Sequence, residues 1–365
     1  MKRALSLLLC IFILLSFSSC KKEEVKVESH LKLSDVTSPV VLHTKTQQAY
    51  IDCDDPAKVF LFASNEDDTS PAPLNLKWEW TGEKTPESYI VYISETPDFT
   101  DFIQQFSRRT NTLIYNLKLG TTYYWKVVAD LGDKKEESET KKFTTEDGEF
   151  RFILCDGITN MRDIGGHTTE DGKRVKQGLI FRCSRLNENK TNDRLISDNG
   201  LSVMRDLGIM FELDLRGDSE AFIERSFIEN AKYKRIPVKG EYKSGNYYEK
   251  NDEVLRQIFA CVSDESNFPM IIHCSVGTDR TGFTCYTLEG LLGVKKETLL
   301  KDYLFSDFSR GFSPGSRTLD YIANDYVAGY DAEEGSTLSE KVENHLLKIG
   351  VTKEQIDKFK EIMLE

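Results

Sequence analysis

The sequence predicts two bodies in series: an N-terminal all-β sandwich, then an α/β domain with a helical C-terminal part. Three observations carry this reading. From about Val59 to Thr145, short runs suited to strands are separated by polar turns, with no helical period. After "TTEDGEF", strand-like and helix-like runs alternate. From Lys295 to Glu365, nearly every stretch carries apolar residues at three- and four-residue spacing. A length of 365 residues suits two or three domains, and 39% hydrophobic with 30% charged residues supplies more than one core.

The first residues stand outside this scheme. "MKRALSLLLCIFILLSFSSCKKEE" has a basic start, an apolar run from Ala4 to Phe17, then small residues and Cys20. This is the pattern of an export signal, residues 1–19, too short to span a bilayer comfortably. "FSSC" resembles a bacterial lipoprotein cleavage box. That resemblance implies lipidation of Cys20 and anchoring of an exported protein to the cell envelope. The plain alternative is an ordinary signal that ends near a cysteine. The charged run after Cys20 reads as a solvated tether over residues 20–35.

Residues 36–147 are expected to form the sandwich. "LNLKWEW", "SYIVYIS", "NTLIYNL", "TYYWKVVAD" and "ETKKFTT" are its strands. "VVLHTKTQQAYI" is also strand-like and fits as a first strand or as a segment packed beside the sandwich. The stretch resembles a fibronectin type III domain, with Trp78 or Trp80 in the core and "LKLGTTYYWKV" as the corner where a tyrosine precedes a long central strand. Its aromatic residues read as core; the alternative is a contact surface for a glycan or a protein, and the sequence names no ligand.

In residues 148–365, "GLIFRCS", "IMFELDLRG", "YKRIPVK" and "PMIIHCS" read as strands. "RLISDNGLSVMRDLG", "EVLRQIFACVSD" and "DRTGFTCYTLEGLLG" read as the helices between and after them. Such alternation implies a sheet covered on both faces.

The chemistry concentrates in "HCSVGTDRTG", His273 to Gly282. A buried strand ends at His273, a turn follows, and a helix begins. Ligands of α/β sheets sit beyond the carboxyl ends of strands, and N–H groups of a tight turn at a helix N-terminus form an anion nest. Gly277 supplies backbone freedom, and Arg280 offers a fork that grips two phosphate oxygens. In such a field a thiol pKa falls from about 8.5 to between about 3.5 and 7.5, so Cys274 is expected as a thiolate able to attack a held phosphorus. The plain alternative is a structural loop with an inert cysteine.

The loop resembles the signature of cysteine-dependent phosphatases along its whole length. A second stretch, "GITNMRDIGGHTTEDGKRVKQGLIFRCSRL", resembles the opening of the bacterial tyrosine-phosphatase family with the NFRD(L/I)GG motif, here Asn160 to Gly166. "FELDLRGDSE" resembles that family's central strand, and "KDYLFSDF" its helix after the loop. The resemblance spans most of residues 150–310. It implies hydrolysis of phosphate monoesters, phosphotyrosine foremost with dual specificity open, through a phosphocysteine on Cys274. It places His273, Ser275, Val276, Gly277, Thr278, Thr281 and Gly282 around the phosphate. His273 is expected to orient the loop and Thr281 to hydrogen-bond the thiolate. Arg162 and Asp163 are expected at the pocket wall or in a structural salt link. Thr278 stands where relatives often have lysine, and Cys183 where they usually have serine.

The leaving oxygen needs a proton. All three tryptophans, Trp78, Trp80 and Trp125, lie in the sandwich, so the tryptophan-led acid loop of many tyrosine phosphatases is absent. The resemblance points to Asp279 as general acid. Asp214 is the second candidate, with fixation of Arg216 as its alternative role.

Other classes are disfavoured. Net charge is −12, near −14 once Lys2 and Arg3 leave with the signal, and no basic block points to nucleic acid. Six scattered cysteines remain after Cys10 and Cys20, and five histidines lie far apart, so neither a disulfide framework nor a metal centre is expected. No cofactor is implied. The expected partners are a phosphorylated protein or a small phosphate monoester, and a membrane through the anchor. Two alternatives stand: an inositol-phosphate or phosphoinositide phosphatase, against which Thr278 and the acidic chain argue, and a surface binding protein with a vestigial phosphatase domain.

Overall fold

Eight strands in the N-terminal half build two facing sheets. The protein is described by a computed structural model covering residues 29–191, 193–240, 245–309 and 315–365; the signal, Cys20 and most of the tether lie outside the described residues. One sheet has the order β1-β2-β5: β1 Leu31–Leu33, β2 Leu74–Trp80, β5 Asn111–Ile114. The other runs β4-β3-β6-β7, with β8 also on β6: β3 Ser88–Ser94, β4 Ile103–Ser107, β6 Thr122–Asp130, β7 Lys135–Glu137, β8 Lys141–Thr144.

The period of two decides which side chains meet. Leu74, Leu76 and Trp78 of β2 face Tyr123, Trp125, Val127 and Ala129 of β6 within one core. Trp78 is buried, whereas Trp80 is only half-buried at the sheet end. The Tyr123 hydroxyl accepts the Lys118 N–H at 2.9 Å, which pins the corner before the long strand. The tether ends earlier than expected: Leu31 and Leu33 are buried and pair with Trp80 and Trp78, so residues 31–33 are already sandwich.

Between β1 and β2 the chain leaves the sandwich. The strand-like run before Asp52 becomes a helix, α1 Lys45–Ile51, because Thr44 and Gln47 form a reciprocal capping box. A 3-10 turn, Pro56–Leu61, follows. Tyr50 and Val59 join the core of the α/β body, with Tyr50 edge-on to Phe305 at 4.8 Å. Residues 44–70 thus serve the second body although they lie inside the span expected to be sandwich.

That second body has a five-stranded sheet of order β12-β11-β13-β10-β9: β9 Arg162–Asp163, β10 Ile180–Cys183, β11 Phe211–Asp214, β12 Lys232–Arg235, β13 Met270–His273. All pairings are parallel except that of β9 with β10. Its two faces feed separate cores. Ile180, Leu213 and Ile272 pack with α4 Asp252–Val262, α5 Asp279–Leu292 and the C-terminal helices α9 Leu338–Lys348 and α10 Lys353–Met363. Phe181, Cys183 and Ile271 pack with Met204 of α2 Asp198–Asp206. The remaining α-helices among the described residues are α3 Tyr247–Lys250, α6 Lys296–Leu304, α7 Asp320–Ile322 and α8 Ala328–Ala332. Among the described residues, no helix is long and apolar enough to cross a membrane.

The two bodies share a polar seam. Arg151 donates to Leu117 O at 3.1 Å and Asn116 O at 2.5 Å, and its third arm pairs with Asp163 at 2.9 Å. Asn116 exchanges two hydrogen bonds with the Leu154 backbone, and Gln177 two with that of Leu119.

Candidate active site

Strand β13 ends at His273, and α5 starts at Asp279. The five residues between them must turn the chain through a tight loop over the carboxyl ends of β10 and β11. Gly277 makes this possible. Its φ is +75°, and a Cβ there would lie 2.4 Å from the Cys183 carbonyl oxygen, so no other residue fits without moving β10.

Cys274 is buried at the loop base, and its Sγ accepts the Gly277 N–H at 3.3 Å. Burial pushes the thiol up, but Arg280, the Thr281 hydroxyl and the N–H groups of Thr281 and Val276 outweigh it and hold the pKa below that of an ordinary thiol. The Thr281 hydroxyl is buried and makes no hydrogen bond to any described residue, so its proton is available to the sulfur. The remaining cysteines among the described residues are free, and burial pushes Cys155, Cys183, Cys261 and Cys285 up. Cys274 is the cysteine poised to ionise.

Arg280 is held by a carboxylate from the loop after β11. Both its terminal nitrogens pair with Glu220, the second at 2.9 Å, and the second also donates to Ser275 Oγ at 3.1 Å. Ser275 Oγ itself donates to Glu220 at 2.6 Å. Burial works against Glu220 ionising, yet Arg280 and Ser275 bring its pKa down to about 2. Glu220 was not singled out in the sequence. The signal was the last residue of "FELDLRGDSE", three positions beyond the glycine that ends the strand motif.

Asp279 lies beside Arg280 at the helix start, half-buried. Burial raises its carboxyl above the usual range, against Arg317 at 3.5 Å, the Tyr303 hydroxyl at 3.3 Å and Arg280. It is the loop carboxyl whose surroundings favour keeping a proton.

Asp214 has a different setting. It is buried and accepts from the Arg216 backbone at 2.9 Å, from the Arg216 guanidinium at 2.7 Å and from the Tyr233 hydroxyl at 2.9 Å. Burial opposes its ionisation, but His273 and Arg216 hold it at about 2. These partners favour its carboxylate and match its alternative role of fixing Arg216. His273 is buried between Glu212, 3.0 Å from Nε2, and the Cys274 carbonyl, 3.2 Å from Nδ1. Burial disfavours its charge, but Asp214 and Glu212 raise its pKa, consistent with both ring nitrogens donating.

Arg162 and Asp163 do not reach the pocket. Arg162 is buried behind the loop, donating to Asp302 at 2.6 Å and to Asn160 Oδ1 at 2.6 Å. Asp302 also pairs with Arg182, which donates to the Gly277 carbonyl at 2.8 Å. Asp163 accepts from Gly165 and Gly178 and ties the body to Arg151 at the seam. Thr278 is fully buried against Asn160, 3.5 Å away, so it adds nothing to the charge of the rim. Gly282 packs against Tyr303, where a Cβ would meet the ring at 3.2 Å. Among the described residues, no cluster could hold a metal ion.

A thiol biased to ionise under loop N–H groups, with a fixed arginine beside it, lies beyond the carboxyl ends of a mostly parallel sheet in an α/β body, an arrangement suited to an oxyanion. Residues 153–365 match the tyrosine phosphatase family, and the chain belongs to that family. A Cupriavidus necator protein provisionally named a tyrosine-protein phosphatase is 27% identical over 178 residues, covering 42% of this chain and 63% of that relative's length. A solved structure of the core catalytic domain of the PP-IP phosphatase SIW14 from S. cerevisiae, in complex with citrate, overlaps 47% of this chain and 85% of its own. Its identity is 17% and its TM-score 0.29.

Proposed function

We propose that this protein hydrolyses phosphate monoesters, phosphotyrosine foremost, through a phosphocysteine intermediate. The Cys274 thiolate attacks phosphorus as the phosphorus–oxygen ester bond breaks, and Asp279 gives its proton to the departing oxygen. Water then attacks the phosphocysteine, the sulfur–phosphorus bond breaks, and Asp279 takes the water proton. Arg280, steadied by Glu220, and the loop N–H groups hold the phosphoryl oxygens throughout. The observation that carries this reading is the Cys274 sulfur under the Gly277 N–H, its pKa lowered by Arg280 in the same loop.

Cys274→Ser should abolish turnover while retaining phosphate affinity, and Arg280→Ala should lose both. Assay of a phosphotyrosine peptide beside a phosphoserine peptide and inositol hexakisphosphate tests the substrate class. Substantial hydrolysis by the serine variant would sink the covalent route, and preference for the inositol phosphate would sink the tyrosine assignment.

The N-terminal features extend the proposal. The sandwich is a fibronectin type III-like module whose ligand is not identified, and Cys20 carries a lipid that holds the exported enzyme at the cell envelope. Membrane fractionation of the wild type and Cys20→Ala tests the anchor: the variant should be released or misprocessed, and unchanged membrane association contradicts lipidation.

A further inference from the structure

The excursion of residues 44–70 ends close to the phosphate loop, and one residue stands between them. Asn160 has φ +56°, a left-handed conformation that asparagine tolerates better than most residues. Besides the Thr278 hydroxyl, four partners hold it there. Its N–H donates to Thr69 Oγ1 at 3.3 Å, and its Oδ1 accepts from Arg162 at 2.6 Å. Its Nδ2 donates to the Val276 carbonyl at 3.1 Å and to Ser306 Oγ at 3.2 Å. The Val276 carbonyl shares a peptide plane with the Gly277 N–H, the group that points at Cys274 Sγ. Holding one end of that plane aims the other.

Thr69 is itself fixed from the N-terminal side. Its hydroxyl donates to Asp67 at 2.5 Å, which turns an oxygen lone pair toward Asn160. The fully buried Gln47 side chain donates to Asp68 O at 2.7 Å and Ser70 O at 2.9 Å, and the Asp68 N–H donates to Phe308 O at 2.8 Å. Thr69 is buried, so none of this is a surface contact.

We infer that Thr69 is a positioning residue of the phosphate loop: through Asn160 and the Val276–Gly277 peptide, the segment inserted between β1 and β2 sets the donor that faces Cys274. The N-terminal half is then part of the catalytic apparatus, not only a module carried beside it. The activity consequence rests on the phosphatase reading, but loop geometry can be read without turnover.

The test uses the full chain with three substitutions: Thr69→Val, which keeps shape and removes the hydroxyl, Thr69→Ser, which keeps the hydroxyl, and Asp67→Asn, which weakens its orientation at a half-buried position where the isosteric amide is tolerated. Two quantities are measured: the pH midpoint of iodoacetamide alkylation at Cys274, located by mass spectrometry, and protection of that alkylation by inorganic phosphate. Thr69→Val should raise the midpoint and weaken phosphate protection roughly threefold to tenfold, as losing one ordinary hydrogen bond does. Asp67→Asn should shift both in the same direction, and Thr69→Ser should match the wild type. Wild-type values in a folded Thr69→Val or in Asp67→Asn overturn the proposal, as does a Thr69→Ser that fails like the valine variant. A wild-type protein with neither a low midpoint nor phosphate protection would instead overturn the phosphatase reading on which the proposal stands.

Discussion

Cys274 and Asp279 lie in one loop but are biased toward opposite protonation states. The thiol is pulled below its ordinary pKa by Arg280, Thr281 and backbone N–H groups that outweigh burial, while burial pushes the Asp279 carboxyl above its own. Activity should therefore fall on the acid side as the thiolate is protonated and on the alkaline side as Asp279 loses its proton. Tyr303 donates to Asp279 and favours its carboxylate, so Tyr303→Phe should move the alkaline limb of the kcat/KM profile upward. Asp279→Asn should remove that limb and slow phosphotyrosine hydrolysis by about 10²–10⁴-fold while sparing activated aryl phosphates. An unmoved limb in Tyr303→Phe, or equal slowing of both ester types by Asp279→Asn, would assign the acid elsewhere. The sequence made Asp279 visible because it sits inside a contiguous motif. Tyr303 and Arg317, which set its environment, arrive from 24 and 38 positions away, and no spacing rule reaches that far.

At the scale of the element, the strand–loop–helix unit works because carbonyls of its loop are answered by side chains, two of which come from other elements. The Gly277 carbonyl is answered by Arg182 of β10, the Val276 carbonyl by Asn160, and the Cys274 carbonyl by His273. Gly277→Ala should put a methyl group into the Cys183 carbonyl and impose a positive φ that costs alanine roughly 1–2 kcal/mol. The loop can relieve this by swinging away from β10, which costs it the N–H aimed at sulfur. Turnover should therefore drop by at least about 10²-fold while the melting temperature falls by only several degrees, since a loss of about 1 kcal/mol shifts it by a few degrees in a protein of this size. Near wild-type turnover would mean that the Gly277 N–H is dispensable. The strands flanking this loop were legible from their apolar runs. The two-residue β9 and the helix α1 were not: β9 is too short to show a period, and α1 replaces a strand-like run because the Thr44–Gln47 box closes its first turn.

The largest departure from the sequence reading belongs to the whole molecule. Composition and period predict two bodies that meet near residue 148, but no local pattern could reveal how the chain crosses between them. Tyr50 and Val59 are buried in the α/β core although they lie upstream of most of the sandwich. Full burial of such side chains contributes about 1.5–3 kcal/mol each. The Arg151–Asp163 pair is buried as well, and Arg151 reaches the sandwich through carbonyls of Asn116 and Leu117. A sandwich that unfolded first would strip the Asn116 and Leu117 acceptors from Arg151, at about 1–3 kcal/mol for each buried donor left unpaired, and would release the segment that carries Tyr50 and Val59. These terms are comparable to the stability of a single domain, about 5–15 kcal/mol. The two bodies should therefore unfold together. Calorimetry of residues 29–365 should give one transition, and Arg151→Ala should lower it as a single peak. A chain of residues 148–365 alone, lacking Tyr50, Val59 and the carbonyls that receive Arg151, should melt far lower or fail to fold. Two well-separated transitions in residues 29–365, or a truncated body that melts like the intact protein, would show the seam to be a contact between independent units.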